Sequence, residues 1–140
     1  MKIETITTPE APKAIGPYSQ ALKVHDCHSS IAAGLIFVSG QLPMDPESAI
    51  ITGQNISEQT QRCLMNIMAI LKAANATINQ ILKVTVFMTD LAGFNEFNSV
   101  YEKFMGNHKP ARACVQVNAL PKGAMIEIDA IALGTMEDEA

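Results

Sequence analysis

Hydrophobic and polar positions alternate along several short segments of the chain and recur at helical spacing along two longer ones. The short segments predict strands over residues 2–7, 19–24, 34–39, 81–89, 113–117 and 125–133. The helical spacing predicts helices over residues 56–74 and 95–105. The order of strands, helix, strand, helix and strands favours an α+β fold with the helices on one face of a sheet.

The first predicted helix has the clearer signals. Asn55 or Ser57 can cap its start, and Asn55 with Glu58 forms a plausible capping box. Its predicted apolar face consists of Leu64, Ile67, Met68 and Leu71. The second helix carries an aromatic stripe that we interpret as core packing, made of Phe94, Phe97, Tyr101 and Phe104.

Length and composition limit the class of protein. The chain has 140 residues, which fits a single domain over residues 1–140. Charged residues make up only 17%, and this low fraction suggests a surface buried against another subunit. The net charge of -4 argues against broad binding to nucleic acid or to anionic membranes, since both need a basic face.

The sequence also indicates a cellular compartment. The odd number of cysteines, 3, gives no disulfide framework. Residues 1–12 lack the apolar segment of a signal peptide, and the longest apolar stretch, 31–38, is too short to span a bilayer. We therefore expect a soluble cytoplasmic protein, with a mitochondrial location as the open alternative.

The last predicted strand carries the most unusual feature. Since successive side chains of a strand point to opposite faces, Glu127 and Asp129 share one face with Ile131 and Leu133. These carboxylates either face solvent and pair with lysines, or at least one lines a cleft. In a cleft, loss of hydration would raise a carboxyl pKa and suit the group to proton transfer.

An arginine and two hydroxyl groups are further candidates. Arg112 follows Pro110 at the start of an apolar strand, where it is either a surface ion-pair partner or a two-point donor to a ligand carboxylate. Tyr18 and Ser39 each lie near a glycine in a turn. Separately, these are weak signals of a site.

Taken together, these segments resemble a known family. The sequence contains, in this order, AIGPYSQ at 14–20, FVSGQLP at 37–43, VTVFMTDL at 84–91, PARAC at 110–114 and IEIDAIA at 126–132. This series closely resembles the Rid family of reactive intermediate deaminases, of the RidA or YjgF type, over residues 6–133. The most specific part runs from residue 110 to residue 128.

The resemblance implies a fold and an assembly. Members have a chorismate-mutase-like α+β fold with a mixed six-stranded sheet and two helices on one face. They form homotrimers around a central β-barrel, with active clefts between neighbouring subunits.

The resemblance also implies an activity. RidA-type members are hydrolases that convert 2-aminoacrylate, 2-iminopropanoate and 2-iminobutanoate to 2-keto acids and ammonia, without metal or organic cofactor. Arg112 matches the arginine that binds the substrate carboxylate, and Glu127 matches the glutamate that positions or activates water. Tyr18, Ser39, Gly40 and Cys114 match further substrate-binding positions, and Cys114 is not expected to act as a nucleophile. Asp129 is expected to be structural or a hydrogen-bond partner.

Two features depart from the family pattern. The hairpin at 23–33 looks longer than usual and contains His25, Cys27 and His28, which raises the alternatives of an exposed loop or a metal site. Asn118 replaces a small or basic residue, with unknown effect. The extended loop puts the substrate preference in question.

Two other functions compete with the deaminase. Family members have been described as endoribonucleases that inhibit translation, but the acidic net charge and the 5% of aromatic residues weigh against RNA here. A trimer that binds small carboxylates without catalysis, or acts like a chaperone, is the third hypothesis. The presence of both Arg112 and Glu127 favours catalysis, because simple binding needs the arginine but not the acid.

Overall fold

The computed structural model describes residues 2–25 and 34–134. Six strands and two α-helices follow one another in the predicted order. Their bounds are β1 (Lys2–Ile6), β2 (Ala21–His25), β3 (Leu35–Gln41), α1 (Ile56–Ala73), β4 (Ile81–Met88), α2 (Phe94–Met105), β5 (Ala111–Gln116) and β6 (Ile126–Leu133). Short 3-10 turns lie at Ile78–Gln80, Leu91–Gly93 and Pro121–Gly123.

The strands form one mixed sheet in the order β1-β2-β3-β6-β4-β5. Neighbouring strands are antiparallel, except that β4 and β5 are parallel. The last strand in sequence therefore lies inside the sheet, between β3 and β4, and β5 forms an edge. The α+β prediction is confirmed.

Both helices cover the same face of this sheet. Val84 and Val86 of β4 and Ile128 of β6 are buried there against residues of both helices, among them Leu64 and Phe97. Alternation in β4 and β6 explains this burial, because every second side chain points to the helices. The aromatic stripe does pack on this core, with Phe97 and Tyr101 buried and Phe94 and Phe104 partly buried.

No helix covers the other face of the sheet within residues 2–25 and 34–134; we call it the open face. Large apolar side chains from four strands are exposed on it, namely Leu22, Leu35, Phe37, Val115 and Leu133. Exposed apolar side chains gathered on one face in this way are typical of a protein interface.

The start of α1 differs in detail from the predicted capping box. The Asn55 side chain accepts a hydrogen bond from the Glu58 backbone N–H at 2.9 Å, as expected. The Glu58 carboxylate, however, accepts from the backbone N–H of Gln54 at 2.7 Å, one residue before the cap. Both bonds still satisfy free N–H groups at the helix entrance.

The predicted apolar face of α1 is wrong at one position. Met68 is 43% exposed, whereas Leu64, Ile67 and Leu71 are buried. The buried arc is rotated toward Cys63, Asn66 and Ile70 because the polar Asn66 is also fully buried. Its side-chain amide donates to the backbone carbonyls of Leu42 (3.1 Å) and Met44 (3.0 Å), which fixes the loop after β3.

Strand β5 begins two residues earlier than the predicted strand at 113–117. Pairing of β5 with β4 starts at Ala111, opposite Lys83, so Arg112 lies inside β5 rather than before it. The parallel register then places Arg112 beside Val84, on the helix-covered face.

Candidate active site

The Arg112 side chain extends from β5 toward α2. Its Nη1 donates to the side-chain oxygen of Asn98 at 2.8 Å. The guanidinium carbon lies 4.8 Å from the centre of the Tyr101 ring and 5.4 Å from that of Phe97. Cation–π attraction and one hydrogen bond therefore hold the group in a defined position.

No acidic side chain among the described residues forms an ion pair with this guanidinium. Over residues 2–25 and 34–134, the one ion pair within 4.0 Å joins His25 to Glu4. Arg112 is only half-buried, and several of its N–H donors remain available. An immobilised, unpaired guanidinium is well suited to hold the carboxylate of a ligand.

Cys114 lies two residues further along β5 and points to the same face as Arg112. Its Sγ is 3.7 Å from the sulfur of the buried Met88. Burial raises the pKa of this thiol, and the nearby Arg112 charge only partly opposes the effect. The thiol is therefore protonated near neutral pH, which supports the expectation that it is not a nucleophile.

The Glu127 side chain lies on the open face. It belongs to β6, opposite Phe87 of β4, and its carboxylate packs against Gly40 at the irregularity between Val38 and Gln41 in β3. A Cβ atom at position 40 would collide with this carboxylate. Gly40 therefore serves to make room for Glu127.

The electrostatics around Glu127 favour its protonated form. Burial raises the pKa of this carboxyl group, and the negative charge of Asp129 raises it further. Burial also raises the pKa of Asp129, against the opposing effects of hydrogen bonds from Thr85 and the charge of Lys83. Such a carboxyl group can exchange a proton closer to neutral pH than an ordinary glutamate.

Ser39 and Tyr18 border this region and differ in their hydrogen bonds and in their exposure. The Ser39 hydroxyl donates to the backbone carbonyl of Ser19 at 2.5 Å, so it connects β3 to the loop before β2. The Tyr18 side chain is 49% exposed, and its hydroxyl accepts from the Ile15 backbone N–H at 3.3 Å. Ser39 therefore has a structural bond, while Tyr18 projects from the surface.

The candidate residues thus form two groups. We call Arg112, Asn98, Tyr101 and Cys114 the arginine half-site, and Glu127, Gly40, Ser39 and Asp129 the glutamate half-site. Arg112 aligns with Val84 and Glu127 with Phe87, and two strand spacings separate β5 from β6. Standard sheet dimensions then place the two Cα atoms roughly 14 Å apart. Because the side chains also point to opposite faces, one chain does not bring both groups onto one small substrate.

Sequence reasoning missed part of the arginine half-site. Asn98 was not selected, and the aromatic stripe was assigned to packing alone, although Tyr101 and Phe97 also hold Arg112. An available signal was the position of Asn98 within that stripe, one residue after Phe97 and three before Tyr101.

The metal alternative gains no support from the described part of the chain. His25 lies at the end of β2 and pairs with Glu4 at 2.6 Å. Cys27, His28 and the other residues of 26–33 lie outside the described residues. Over 2–25 and 34–134, no three His, Cys, Asp or Glu side chains gather as a metal cluster would require. In the same ranges no helix is long and apolar enough to cross a membrane.

The fold and the two half-sites define an α+β protein with an unpaired arginine and a carboxyl group of raised pKa. The family described as Endoribonuclease L-PSP matches residues 8–134. A RutC family protein of Pyrococcus abyssi is 48% identical over 132 residues, which are 94% of this chain and 98% of that protein. The human 2-iminobutanoate/2-iminopropanoate deaminase is 41% identical over 128 residues, 91% of this chain and 88% of that protein.

Comparison with solved structures indicates the same family. The crystal structure of Escherichia coli TdcF with bound serine matches with a TM-score of 0.82 at 40% identity, covering 94% of this chain and 99% of that one. The chain belongs to the Endoribonuclease L-PSP family, which includes the Rid proteins. The family resemblance is confirmed.

Proposed function

We propose that this protein hydrolyses 2-imino acids to 2-keto acids and ammonia, at clefts completed by a second copy of the chain. The observation that carries the proposal is the unpaired guanidinium of Arg112, held between Asn98 and the aromatic rings of α2. The name of the human relative and the serine bound to TdcF support it, since both concern small α-substituted carboxylates.

Arg112 would bind the substrate through its carboxylate. Two parallel N–H groups of a guanidinium match the two oxygens of a carboxylate, and this fixes the orientation of the adjacent C=N carbon. Asn98 and the Tyr101 ring keep the guanidinium in place before the substrate arrives. Binding therefore loses little conformational entropy at the arginine.

Glu127 would transfer the protons. Water adds to the imine carbon while the Glu127 carboxylate takes one of its protons and returns that proton to the nitrogen, which gives a carbinolamine. The carbinolamine hydroxyl then gives its proton to Glu127, Glu127 passes it to the nitrogen, and the C–N bond breaks, so that ammonia leaves and the keto group forms. A carboxyl group with a raised pKa suits both steps, because it accepts and returns a proton easily.

The assembly follows from the separation of the two half-sites. We propose a homotrimer in which the open faces of three sheets surround a central barrel, as the family resemblance implies. The exposed apolar side chains of the open face support a buried role for that surface. The arginine half-site of one copy would then face the glutamate half-site of its neighbour.

The direct experiment follows ammonia release from 2-iminopropanoate and 2-iminobutanoate generated in situ. Wild type should accelerate hydrolysis, and Arg112→Ala should weaken transition-state binding by about 2–5 kcal/mol, because a desolvated ion pair is lost. Glu127→Gln should reduce turnover by about 10²–10⁴-fold, the usual contribution of a general acid–base group, while still binding 2-ketobutyrate. Hydrolysis at the uncatalysed rate with wild type would contradict the proposal for these substrates.

RNA cleavage is the second candidate function, because the matching family is described as Endoribonuclease L-PSP. The net charge of -4 does not favour it, because RNA binding depends on a basic surface. If RNA were the substrate, cleavage would fall steeply with salt and would survive Arg112→Ala. A third candidate, ligand binding without catalysis, predicts that wild type and Glu127→Gln bind 2-ketobutyrate equally and that neither accelerates hydrolysis.

A further inference from the structure

A cavity of ≈ 430 Å³ lies beside Arg112, between the C-terminal half of α2 and the segment that leads into β5. We call it the loop cavity. Pockets of roughly 300–1,000 Å³ hold drug-sized ligands. The loop cavity is therefore larger than a substrate with a side chain of one or two carbons requires.

The walls of the loop cavity differ in character. Tyr101 and Met105 of α2 supply aromatic and apolar surface, while His108 and Lys109 supply polar groups from the segment before β5. Arg112 closes one side of the same cavity. A ligand whose carboxylate sits on Arg112 would thus extend its side chain toward Lys109.

Charge within the loop cavity favours an acceptor on that side chain. Arg112 and Lys109 are cations, and neither has an acidic group within 4.0 Å among the described residues. The one acidic residue of the lining, Glu102, lies more than 4.0 Å from both charged groups. A first carboxylate on Arg112 therefore leaves the Lys109 ammonium without an acidic partner and able to bind a second carboxylate.

Two further groups of the cavity wall, the Tyr101 hydroxyl and the His108 ring, bear on how a ligand oxygen could bind. The Tyr101 hydroxyl is buried and has no hydrogen-bond partner within residues 2–25 and 34–134. The His108 ring is held by a 2.7 Å bond from Nε2 to the Ile81 carbonyl; since a carbonyl only accepts, Nε2 carries the proton. The ring is therefore fixed at the wall, and the hydroxyl can turn toward a ligand oxygen.

We propose that the loop cavity holds the substrate side chain and selects 2-imino acids whose side chain ends in a second carboxylate, with Lys109 and Tyr101 as specificity residues. This inference rests on the proposed function, because Arg112 must bind the first carboxylate. An uncharged long side chain would contact Met105 and the Tyr101 ring but would leave Lys109 and the hydroxyl without an acceptor.

The test compares two substrates of nearly equal shape, the imines formed in situ by oxidation of glutamate and of glutamine, with 2-iminobutanoate as the reference. For wild type, kcat/KM should be about fivefold higher for the glutamate imine than for the glutamine imine. This ratio corresponds to the free energy of a favourable ion pair at an exposed lysine. Lys109→Met should reduce this ratio to about one, because kcat/KM falls more for the glutamate imine than for the glutamine imine or for 2-iminobutanoate. Lys103→Met is the matched control, because Lys103 is an exposed lysine of α2 outside the cavity lining.

A second readout does not depend on turnover. The keto-acid product 2-oxoglutarate should inhibit more strongly than 2-ketobutyrate. Both Lys109→Met and Tyr101→Phe should weaken inhibition by 2-oxoglutarate more than inhibition by 2-ketobutyrate. Hydrolysis of 2-iminobutanoate combined with no preference for the glutamate imine, or with a preference that survives Lys109→Met, would overturn this inference and leave the proposed function standing. Absence of hydrolysis for all three imines would instead overturn the proposed function, and this inference with it.

Discussion

At the scale of single residues, the protein positions two charged groups by different means. Arg112 is fixed by attraction, through Asn98 and the aromatic rings of α2. Glu127 is placed by the absence of a side chain at Gly40 and is modified electrostatically by Asp129. The arrangement around Glu127 leads to two predictions.

Gly40→Ala should reduce activity without unfolding the protein. The added methyl group meets the flexible end of the Glu127 side chain, which can move aside, so the carboxylate is displaced rather than the backbone. We expect kcat/KM to fall by about tenfold to a hundredfold, as for other misplaced catalytic groups, and thermal stability to change little.

The control for this variant is Gly93→Ala, whose new Cβ would make an ordinary 3.5 Å contact with Ile56. The double variant Gly40→Ala, Glu127→Gln should be no less active than Glu127→Gln alone. Additional loss in the double variant would show that Gly40 acts through something other than Glu127.

Glu127→Gln should stabilise the fold at neutral pH. The pKa of Glu127 is higher in the folded protein than the ordinary 4.5, so ionisation disfavours the folded state. The stability associated with the protonated carboxyl group is complete below pH 4.5 and is lost as the pH rises through the folded-state pKa. The variant should therefore unfold at higher urea concentration than wild type at pH 7, with a difference that shrinks as the pH falls through the folded-state pKa and is constant below pH 4.5. A difference independent of pH would assign the effect to packing.

At the scale of elements, the strands and helices follow from local pattern, but their surroundings do not. Alternation in β4 and β6 and the apolar spacing of α1 made these elements predictable. The burial of Asn66 was not predictable, because it depends on carbonyl groups more than 20 residues earlier in the chain. The exposure of Met68 has the same origin, since the buried arc of α1 turns toward Asn66.

Asn66→Ala should destabilise the protein by about 2–4 kcal/mol. The substitution leaves the carbonyls of Leu42 and Met44 without the amide that bonds them, and buried unsatisfied groups cost about 1–3 kcal/mol each. Urea denaturation monitored by circular dichroism measures the change. Met68→Ala on the exposed side of the same helix should change stability by less than about 0.5 kcal/mol. Equal effects of the two variants would contradict the anchoring role of Asn66.

At the scale of the whole molecule, the strand order sets the distance between the two charged groups of the candidate site. The motifs identified Arg112 and Glu127 individually, but local pattern does not reveal that β4 lies between their strands or that the side chains point to opposite faces. The prediction of clefts between subunits came from the family resemblance. These clefts stay a prediction, and the separation of the two half-sites in one chain is the reason that we propose them.

Subunit complementation tests this central claim most directly. Arg112→Ala chains retain Glu127, and Glu127→Gln chains retain Arg112, so trimers containing both variants would rebuild some clefts from intact halves. With random exchange, co-expressed variants should recover about one quarter of wild-type activity on 2-iminobutanoate, as expected for heterologous interfaces in a closed ring. Each variant alone should be far less active than the mixture, and mass spectrometry should detect the mixed trimers. Mixed trimers without activity would show that both groups act from one chain and would contradict the account.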